Sequence, residues 1–223
     1  QSELDGHDMP RIQAHFIQNL EFTGGLSVDY TGSTLTAPAT HQALATGLPI
    51  GKRFHSAPVV RAADAMQMQL GHVAAADGRW RLYVFAAEGD AGRAGGAVHA
   101  LCGWLGSDPA SPLLRHTGAG EDVDALIDLR AIFPATFDAL DYGAMPGLLK
   151  PLKGRLGLQD HEKVFCLDHK GMGDIYAMRG IDRAQGCMVV VRPDQYVAHI
   201  LPLAARDELS AFFAGILLPA PGR

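Results

Sequence analysis

The chain has little cysteine, and the few residues present do not form a redox or metal motif. Cys102, Cys166 and Cys187 are odd in number and contain no C-x-x-C pair. Such a set argues against a disulfide framework, a zinc ribbon and a dithiol redox site. We therefore expect reduced thiols, as in a cytoplasmic protein, with Cys102 and Cys187 serving as small core residues.

Long apolar runs and an excess of basic charge are also missing. No run approaches the roughly 18 apolar residues that a membrane span needs, and residues 1–6 have neither a basic head nor an apolar segment. The 24 acidic and 19 basic residues leave a net charge of −5, without a basic block. The composition therefore argues against a membrane partner and against nucleic acid.

Motifs for nucleotide binding and hydrolysis are absent as well. The sequence has no G-x-S-x-G, and its glycine pairs Gly24-Gly25 and Gly95-Gly96 lack the spacing of G-x-G-x-x-G and a neighbouring lysine. We therefore assign no catalytic residue and no cofactor-binding residue to this chain.

Two polar clusters were weighed as sites and given structural roles. The segment with His161, Glu162, Cys166, Asp168 and His169 offers metal-binding side chains, but their spacing departs from known ligand sets, so no metal site is predicted. The other cluster, residues 192–194, reads Arg-Pro-Asp and resembles an anion hook. Its composition is more typical of a turn in which proline fixes φ and the aspartate caps its own backbone.

The apolar runs and turns predict an α/β domain. An Asp-Gly turn at residues 77–78 predicts a hairpin that joins residues 66–73 to the next strand. The predicted elements are a strand at 80–86, a helix at 97–105, a strand at 124–132, a long insertion at 133–173 that includes a helix at 159–166, a hairpin of strands at 187–191 and 196–200, and a helix at 206–217. This order, β-α-β-insertion-β-β-α, is compatible with a thioredoxin-like sheet.

The N-terminal part differs in character. Residues 10–20 have helical apolar spacing, and residues 30–51 are rich in Thr, Ala, Gly and Pro, which is typical of a connecting segment over a surface. The chain starts without Met, so we expect it to be a piece of a longer polypeptide. We place the domain boundary between residues 50 and 51.

Several phrases of the sequence together resemble one protein family. They are GIDRAQGCMVVVRPDQYVAHILPL at 180–203, GKRFHSAPVVR at 51–61, DGRWRLYVF at 77–85 and DIYAMRGIDR at 174–183. These phrases resemble the C-terminal thioredoxin-like dimerisation domain of the phenol 2-monooxygenase and 3-hydroxybenzoate 4-hydroxylase family of FAD-dependent aromatic hydroxylases. The likeness is greater to the 3-hydroxybenzoate branch.

The resemblance implies a role for the chain and a location for the chemistry. Members of the family use FAD, NADPH and O2, and their cofactor motifs lie in an N-terminal part that this sequence does not contain. The resemblance implies that residues 1–50 are the tail of the FAD-binding and substrate region together with a linker, and that residues 51–223 form a non-catalytic thioredoxin-like domain. The expected partners are a second copy of the chain and the catalytic domain of the same polypeptide.

Two points stay open from the sequence. The apolar pairs Phe212-Phe213 and Leu148-Leu149 suit either a dimer interface or the core of the domain itself. The alternative to the accessory-domain interpretation is a free-standing thioredoxin-like redox or binding protein, which requires an exposed thiol with a depressed pKa.

Overall fold

The computed structural model of the protein describes residues 13, 16, 19, 20, 22, 26–30, 32–167, 171 and 173–220. Nine strands are present in the described residues: β1 (Pro58–Arg61), β2 (Met66–Gln69), β3 (Trp80–Phe85), β4 (Ile127–Phe133), β5 (Leu152–Lys153), β6 (Leu158–Gln159), β7 (Val164–Cys166), β8 (Cys187–Val191) and β9 (Val197–Leu201). The α-helices whose bounds lie within the described residues are α1 (Ala97–Ser107), α2 (Pro112–His116), α3 (Ile175–Arg179) and α4 (Arg206–Ala214). Short 3₁₀ helices lie at Gln42–Leu44, Leu70–Val73, Phe137–Ala139, Tyr142–Ala144 and Gly147–Leu149.

Seven of these strands form one mixed sheet in the order β2-β1-β7-β4-β3-β8-β9. β3 pairs in parallel with β4, and β4 with β7, whereas the other neighbours are antiparallel. The β3-to-β4 connection contains α1, and the β8–β9 hairpin is followed by α4. The fold is therefore α/β with a mixed sheet, and its β4-β3-β8-β9 part has the arrangement expected of thioredoxin-like folds.

The sheet separates two hydrophobic cores because successive strand residues point to opposite faces. On one face, Trp80, Leu82 and Val84 of β3 pack with residues of α1, α2 and α4. On the other, Tyr83 and Phe85 pack with α3 and with the chain that precedes β1. The central strands are covered on both sides, which explains why β3 and β4 are buried along their whole length.

Local capping chemistry fixes the two shortest helices. Asp174 caps α3 by accepting hydrogen bonds from the backbone N–H groups of Tyr176 and Ala177, and Gly180 ends the helix with φ +55°. In α2, the side chain of Ser111 accepts from the N–H of Leu114. α3 in turn holds Tyr176 under the sheet, where its hydroxyl donates to the carbonyls of Ala86 and Ile132.

The predicted central elements are present, and their bounds agree within a few residues. The strands at 80–86 and 124–132 correspond to β3 and β4, and the predicted hairpin corresponds to β8 and β9. The helices at 97–105 and 206–217 correspond to α1 and α4. Of the helix predicted over 10–20, the described positions 13, 16, 19 and 20 are helical, and the others lie outside the described residues.

Three expectations about the flanking parts are wrong. The Asp-Gly turn does not form a hairpin, because β2 pairs with β1 and β3 pairs with β4 and β8. The helix predicted over 159–166 is instead the end of β6 and the strand β7, since the apolar Val164, Phe165 and Cys166 fill a position between β4 and β1. The segment before residue 51 does not run over the surface, as Leu44 and Leu48 are buried in the second core.

Candidate functional site

All three thiols are buried inside the domain. Cys102 lies within α1, Cys166 ends β7 and Cys187 begins β8. Burial raises the pKa of Cys102 and of Cys187 to about 12, so neither is a thiolate at neutral pH. The thiol of Cys166 contacts the carbonyl oxygen of Val60 at 3.5 Å. The core role predicted for Cys102 and Cys187 is confirmed.

The loop between β3 and α1 is the place where a thioredoxin-like redox protein would carry its reactive cysteine. Here the carboxylate of Asp90 occupies the start of the helix. It accepts hydrogen bonds from the backbone N–H of Gly92 at 2.8 Å and of Val98 at 2.9 Å. Because the chain's own anion already fills the N-terminus of α1, this glycine-rich loop does not fit the pyrophosphate of FAD or NADPH.

His161 and Glu162, which are of metal-binding type, have protein partners instead. The ring of His161 hydrogen-bonds to the hydroxyl of Tyr142 at 3.0 Å, and the Glu162 carboxylate pairs with Arg61 at 2.9 Å. Asp168 and His169 lie outside the described residues. Within the part of the chain that is described, no three His, Cys, Asp or Glu side chains are grouped as metal ligands.

The Arg-Pro-Asp turn binds its own carboxylate. Arg192 donates from Nε to Asp194 at 3.0 Å, and its guanidinium lies over the rings of Tyr30 and Tyr196, at 4.9 and 5.8 Å from their centroids. The turn therefore joins the β8–β9 hairpin to the segment that precedes the sheet, and its cation is already neutralised. Asp194 pairs with Arg192 rather than with its own backbone.

A network of buried ions is the most polar feature of the domain interior. It lies at the end of the sheet where β3 and β4 begin, on the face of the second core. We call it the ion network, and its members are Asp77, Arg79, Arg81, Asp124, Asp128, Arg130, Lys153, Asp160 and Lys163.

Lys163 and Asp128 lie at the centre of the network. The Lys163 side chain is 1% exposed, and its ammonium donates to both Asp124 and Asp128. The Asp128 side chain is 0% exposed and lies 2.9 Å from Arg130 and 3.1 Å from Nε of Arg81. The contact with Arg81 is an ion pair but not a hydrogen bond, since the Nε atom of Arg81 has no hydrogen-bond partner among the described residues. Each buried charge thus faces opposite charges, as burial requires.

The carboxylates at the edge of the network are held in the ionised form. Burial raises the pKa of Asp77, but hydrogen bonds from Arg79 and Arg81 outweigh it and place the pKa well below the ordinary value. Burial also raises the pKa of Asp124, but the charge of Lys163 outweighs this effect, so the pKa of Asp124 is lowered. A small cavity of about 10 Å³ beside Arg79, Arg81 and neighbouring residues has room for one water molecule. This cavity is too small for a substrate.

The network was not recognised from the sequence, although a signal was present. β3 carries Arg81 between Trp80 and Leu82, and β4 reads Ile-Asp-Leu-Arg-Ala-Ile-Phe, with Asp128 and Arg130 two positions apart. Charges at a spacing of two in an otherwise apolar strand lie on the same face. Charged residues are rarely buried unless they are paired, so this spacing predicts an internal ion pair.

The apolar pairs weighed as interface residues belong mainly to the core. Phe213 and Leu149 are fully buried, while Phe212 and Leu148 are partly buried and pack against the same cluster. Trp80 contacts both phenylalanines edge-to-face, with centroids 6.1 and 5.6 Å apart. Of the two interpretations left open, packing within the domain accounts for these residues.

The described residues thus define a mixed α/β domain with buried thiols and an ionic interior. A family model described as "Phenol hydroxylase, C-terminal dimerisation domain" matches residues 28–221. The chain belongs to this family. The part of the chain that the structure describes contains no helix long and apolar enough to cross a membrane.

Curated relatives agree with this assignment. A 3-hydroxybenzoate 4-monooxygenase from Comamonas testosteroni is 52% identical over 213 residues, which is 95% of this chain and 33% of that protein. An FAD-dependent monooxygenase, terD, from Aspergillus terreus is 32% identical over 91% of this chain and 33% of its own length. The chain therefore spans about a third of the length of the curated relatives that it matches.

Two solved structures show a distant likeness. A putative protein disulfide isomerase from Bacteroides thetaiotaomicron aligns with 76% of this chain and 88% of its own, at 11% identity and a TM-score of 0.44. The thioredoxin domain of a thiol-disulfide oxidoreductase from Bacteroides vulgatus aligns with 76% of this chain and 99% of its own, at 9% identity and a TM-score of 0.42.

Proposed function

We propose that this chain is the dimerisation domain of an FAD- and NADPH-dependent aromatic-ring hydroxylase that acts on 3-hydroxybenzoate or a related phenol. The observation that carries the proposal is the family match over residues 28–221, supported by 52% identity to a 3-hydroxybenzoate 4-monooxygenase. The chain contributes shape and self-association, whereas the flavin and the substrate bind in another domain of the same polypeptide.

The interior of the domain supports an accessory role. The thiols are buried, and the start of α1 holds Asp90 where an anionic cofactor group would bind. We assign residues 51–223 to a thioredoxin-like domain and residues 1–50 to the tail of the FAD-binding region. Because Leu44 and Leu48 pack in the second core, the end of that tail is anchored on the domain. Three cysteines that form no disulfide suit the cytoplasm.

The alternative is a free-standing thioredoxin-like redox or binding protein. A redox role requires a solvent-exposed thiol with a depressed pKa. The burial of Cys102 and Cys187, with their pKa raised to about 12, counts against that role.

Sedimentation equilibrium of the purified chain tests the proposal. We expect a species of twice the 23.7 kDa chain mass at micromolar concentration, together with no retention of added FAD on a desalting column. A chain that stays at 23.7 kDa up to high micromolar concentration contradicts the dimerisation role. Tight binding of FAD contradicts the assignment of the flavin to another domain.

A further inference from the structure

The two-stranded β5–β6 hairpin carries three largely exposed leucines. We call residues 152–159 the arm. The arm contains Leu152, Leu156 and Leu158, which are 68%, 83% and 66% exposed. The two strands pair only with each other and are not part of the seven-stranded sheet. Clustered exposed leucines of this kind mark interaction surfaces, whereas isolated ones need no explanation.

The tip of the arm is shaped to present a leucine. Gly154 and Gly157 adopt φ values of +65° and +60°, and the N–H of Gly157 donates to the carbonyl of Gly154 at 3.1 Å. A left-handed conformation favours glycine, so the glycines close a tight turn around Arg155 and Leu156. The turn leaves Leu156 as the most exposed of the three leucines.

The base of the arm is fixed to the domain. The ammonium of Lys153 lies 2.9 Å from Asp124, so the arm is tied to the ion network. The N–H of Gly154 donates to Asp122 at 2.9 Å, and the N–H of Asp160 donates to the carbonyl of Pro151 at 2.8 Å. A surface that is ordered before binding loses less conformational entropy on association. The ion network therefore holds the arm ready to bind.

The charge of the arm indicates the kind of partner. Residues 152–159 include Lys153 and Arg155 and no acidic residue, although the whole chain carries a net charge of −5. Lys153 is paired, while Arg155 is exposed and makes no ion pair within the described residues. A basic and apolar projection on an acidic protein is complementary to the surface of another copy of that protein.

We propose that the arm packs against a second copy of the chain, with Leu156 as a main apolar anchor of the dimer. This inference rests on the proposed function, since the family is described as a dimerisation domain. A stable interface buries about 800 Å² on each partner, so the arm supplies one part of a larger contact. A few well-packed side chains carry most of the binding energy of such a contact, and leucine is less common among them than aromatic residues and arginine.

The first test replaces Leu156 with Asp in the full chain. We expect the dimer dissociation constant, measured by sedimentation equilibrium, to rise at least tenfold, because the change places a charge in an apolar contact. The matched control is Leu218→Asp, since Leu218 is 88% exposed and lies outside the arm. We expect its dissociation constant to match that of the unaltered chain. Far-UV circular dichroism shows that both variants are folded.

A second test locates the arm directly. In a Leu156→Cys variant, a thiol-specific photo-crosslinker reacts at the introduced position alone, because the three natural cysteines are buried. Illumination is expected to give a covalent dimer. One contrary result is a chain that dimerises while Leu156→Asp leaves the dissociation constant unchanged, and another is cross-links that form only within one chain. Either result overturns the proposal that the arm packs against a second copy and leaves the dimerisation role intact. If the unaltered chain is monomeric, both proposals fail.

Discussion

Replacing Asp128 with Asn tests whether the ion network stabilises the fold. The substitution preserves the size and shape of the side chain and removes one negative charge. In the folded domain Asp128 is fully buried and faces three cations: Lys163, Arg130 at 2.9 Å and Arg81 at 3.1 Å. Of these, Lys163 retains Asp124 and Arg81 retains Asp77, but Arg130 loses the only carboxylate with which it pairs among the described residues.

The expected cost follows from the balance of charge. The network contains five basic and four acidic side chains, a net charge of +1 that Asp128→Asn raises to +2. Breaking a buried ion pair by removing one partner destabilises a protein by about 3–5 kcal/mol, because an uncompensated charge is left in the interior. Whole domains are stable by only about 5–15 kcal/mol, so a large part of the stability is at risk.

Urea unfolding followed by far-UV circular dichroism measures this cost. The control is Asp64→Asn, an identical change in an exposed side chain that pairs with Arg61, for which we expect less than about 1 kcal/mol. The loss in Asp128→Asn is expected to persist in about 0.5 M salt, since buried pairs are screened little. A loss of less than about 1 kcal/mol, equal to that of the control, refutes the reasoning.

Three further outcomes are expected from other parts of the domain. A thiol reagent such as dithionitrobenzoate is expected to leave all three cysteines unmodified in the native chain and to titrate three thiols in denaturant; rapid native labelling of even one contradicts the assigned burial. Burial lowers the pKa of His199 to about 4, so between pH 6.5 and 4 the unfolded state binds a proton that the folded state does not, and stability falls as the pH falls. His199→Leu is expected to flatten that part of the profile of stability against pH. A His199 imidazole that titrates near pH 6.5 by NMR contradicts the lowered pKa. Gly186 has φ +64°, and a Cβ added by Gly186→Ala clashes with the carbonyl oxygen of Phe85. The control is Gly120→Ala, because Gly120 has a similar φ of +81° but open space around the added Cβ. We expect Gly186→Ala to cost about 1–3 kcal/mol more than the control in urea unfolding, and equal losses show that the clash is relieved.

Much of the central architecture is predictable from local pattern. β3 and β4 are short, apolar-rich runs of six and seven residues, and β8 and β9 flank a Pro-Asp turn. Each of these strands can therefore be predicted from its own local sequence. α1 and α4 have apolar residues at helical spacing that face the first core. The family phrases predicted the domain family, and two of them, at residues 77–85 and 180–203, contain β3 and the β8–β9 hairpin.

The flanking strands and the ion network depended on contacts distant in sequence. The Asp-Gly turn at residues 77–78 predicts a hairpin locally, yet β2 pairs with β1 through a turn in which Ala65 adopts φ +56°. β7 is only three residues long, and its position between β4 and β1 depends on backbone pairing with both of those strands. A strand that short has too weak a local preference to be distinguished from a helix.

The sequence by itself determined the α/β class, the core strands and helices, and the absence of a C-x-x-C motif. Only the tertiary structure decided that the charges of β3 and β4 meet Lys163 in the interior, and that the leucines of residues 152–158 stay outside. The physical reason is that periodicity records which side of an element is apolar, whereas burial of a charge or exposure of a leucine depends on which distant segments pack against it.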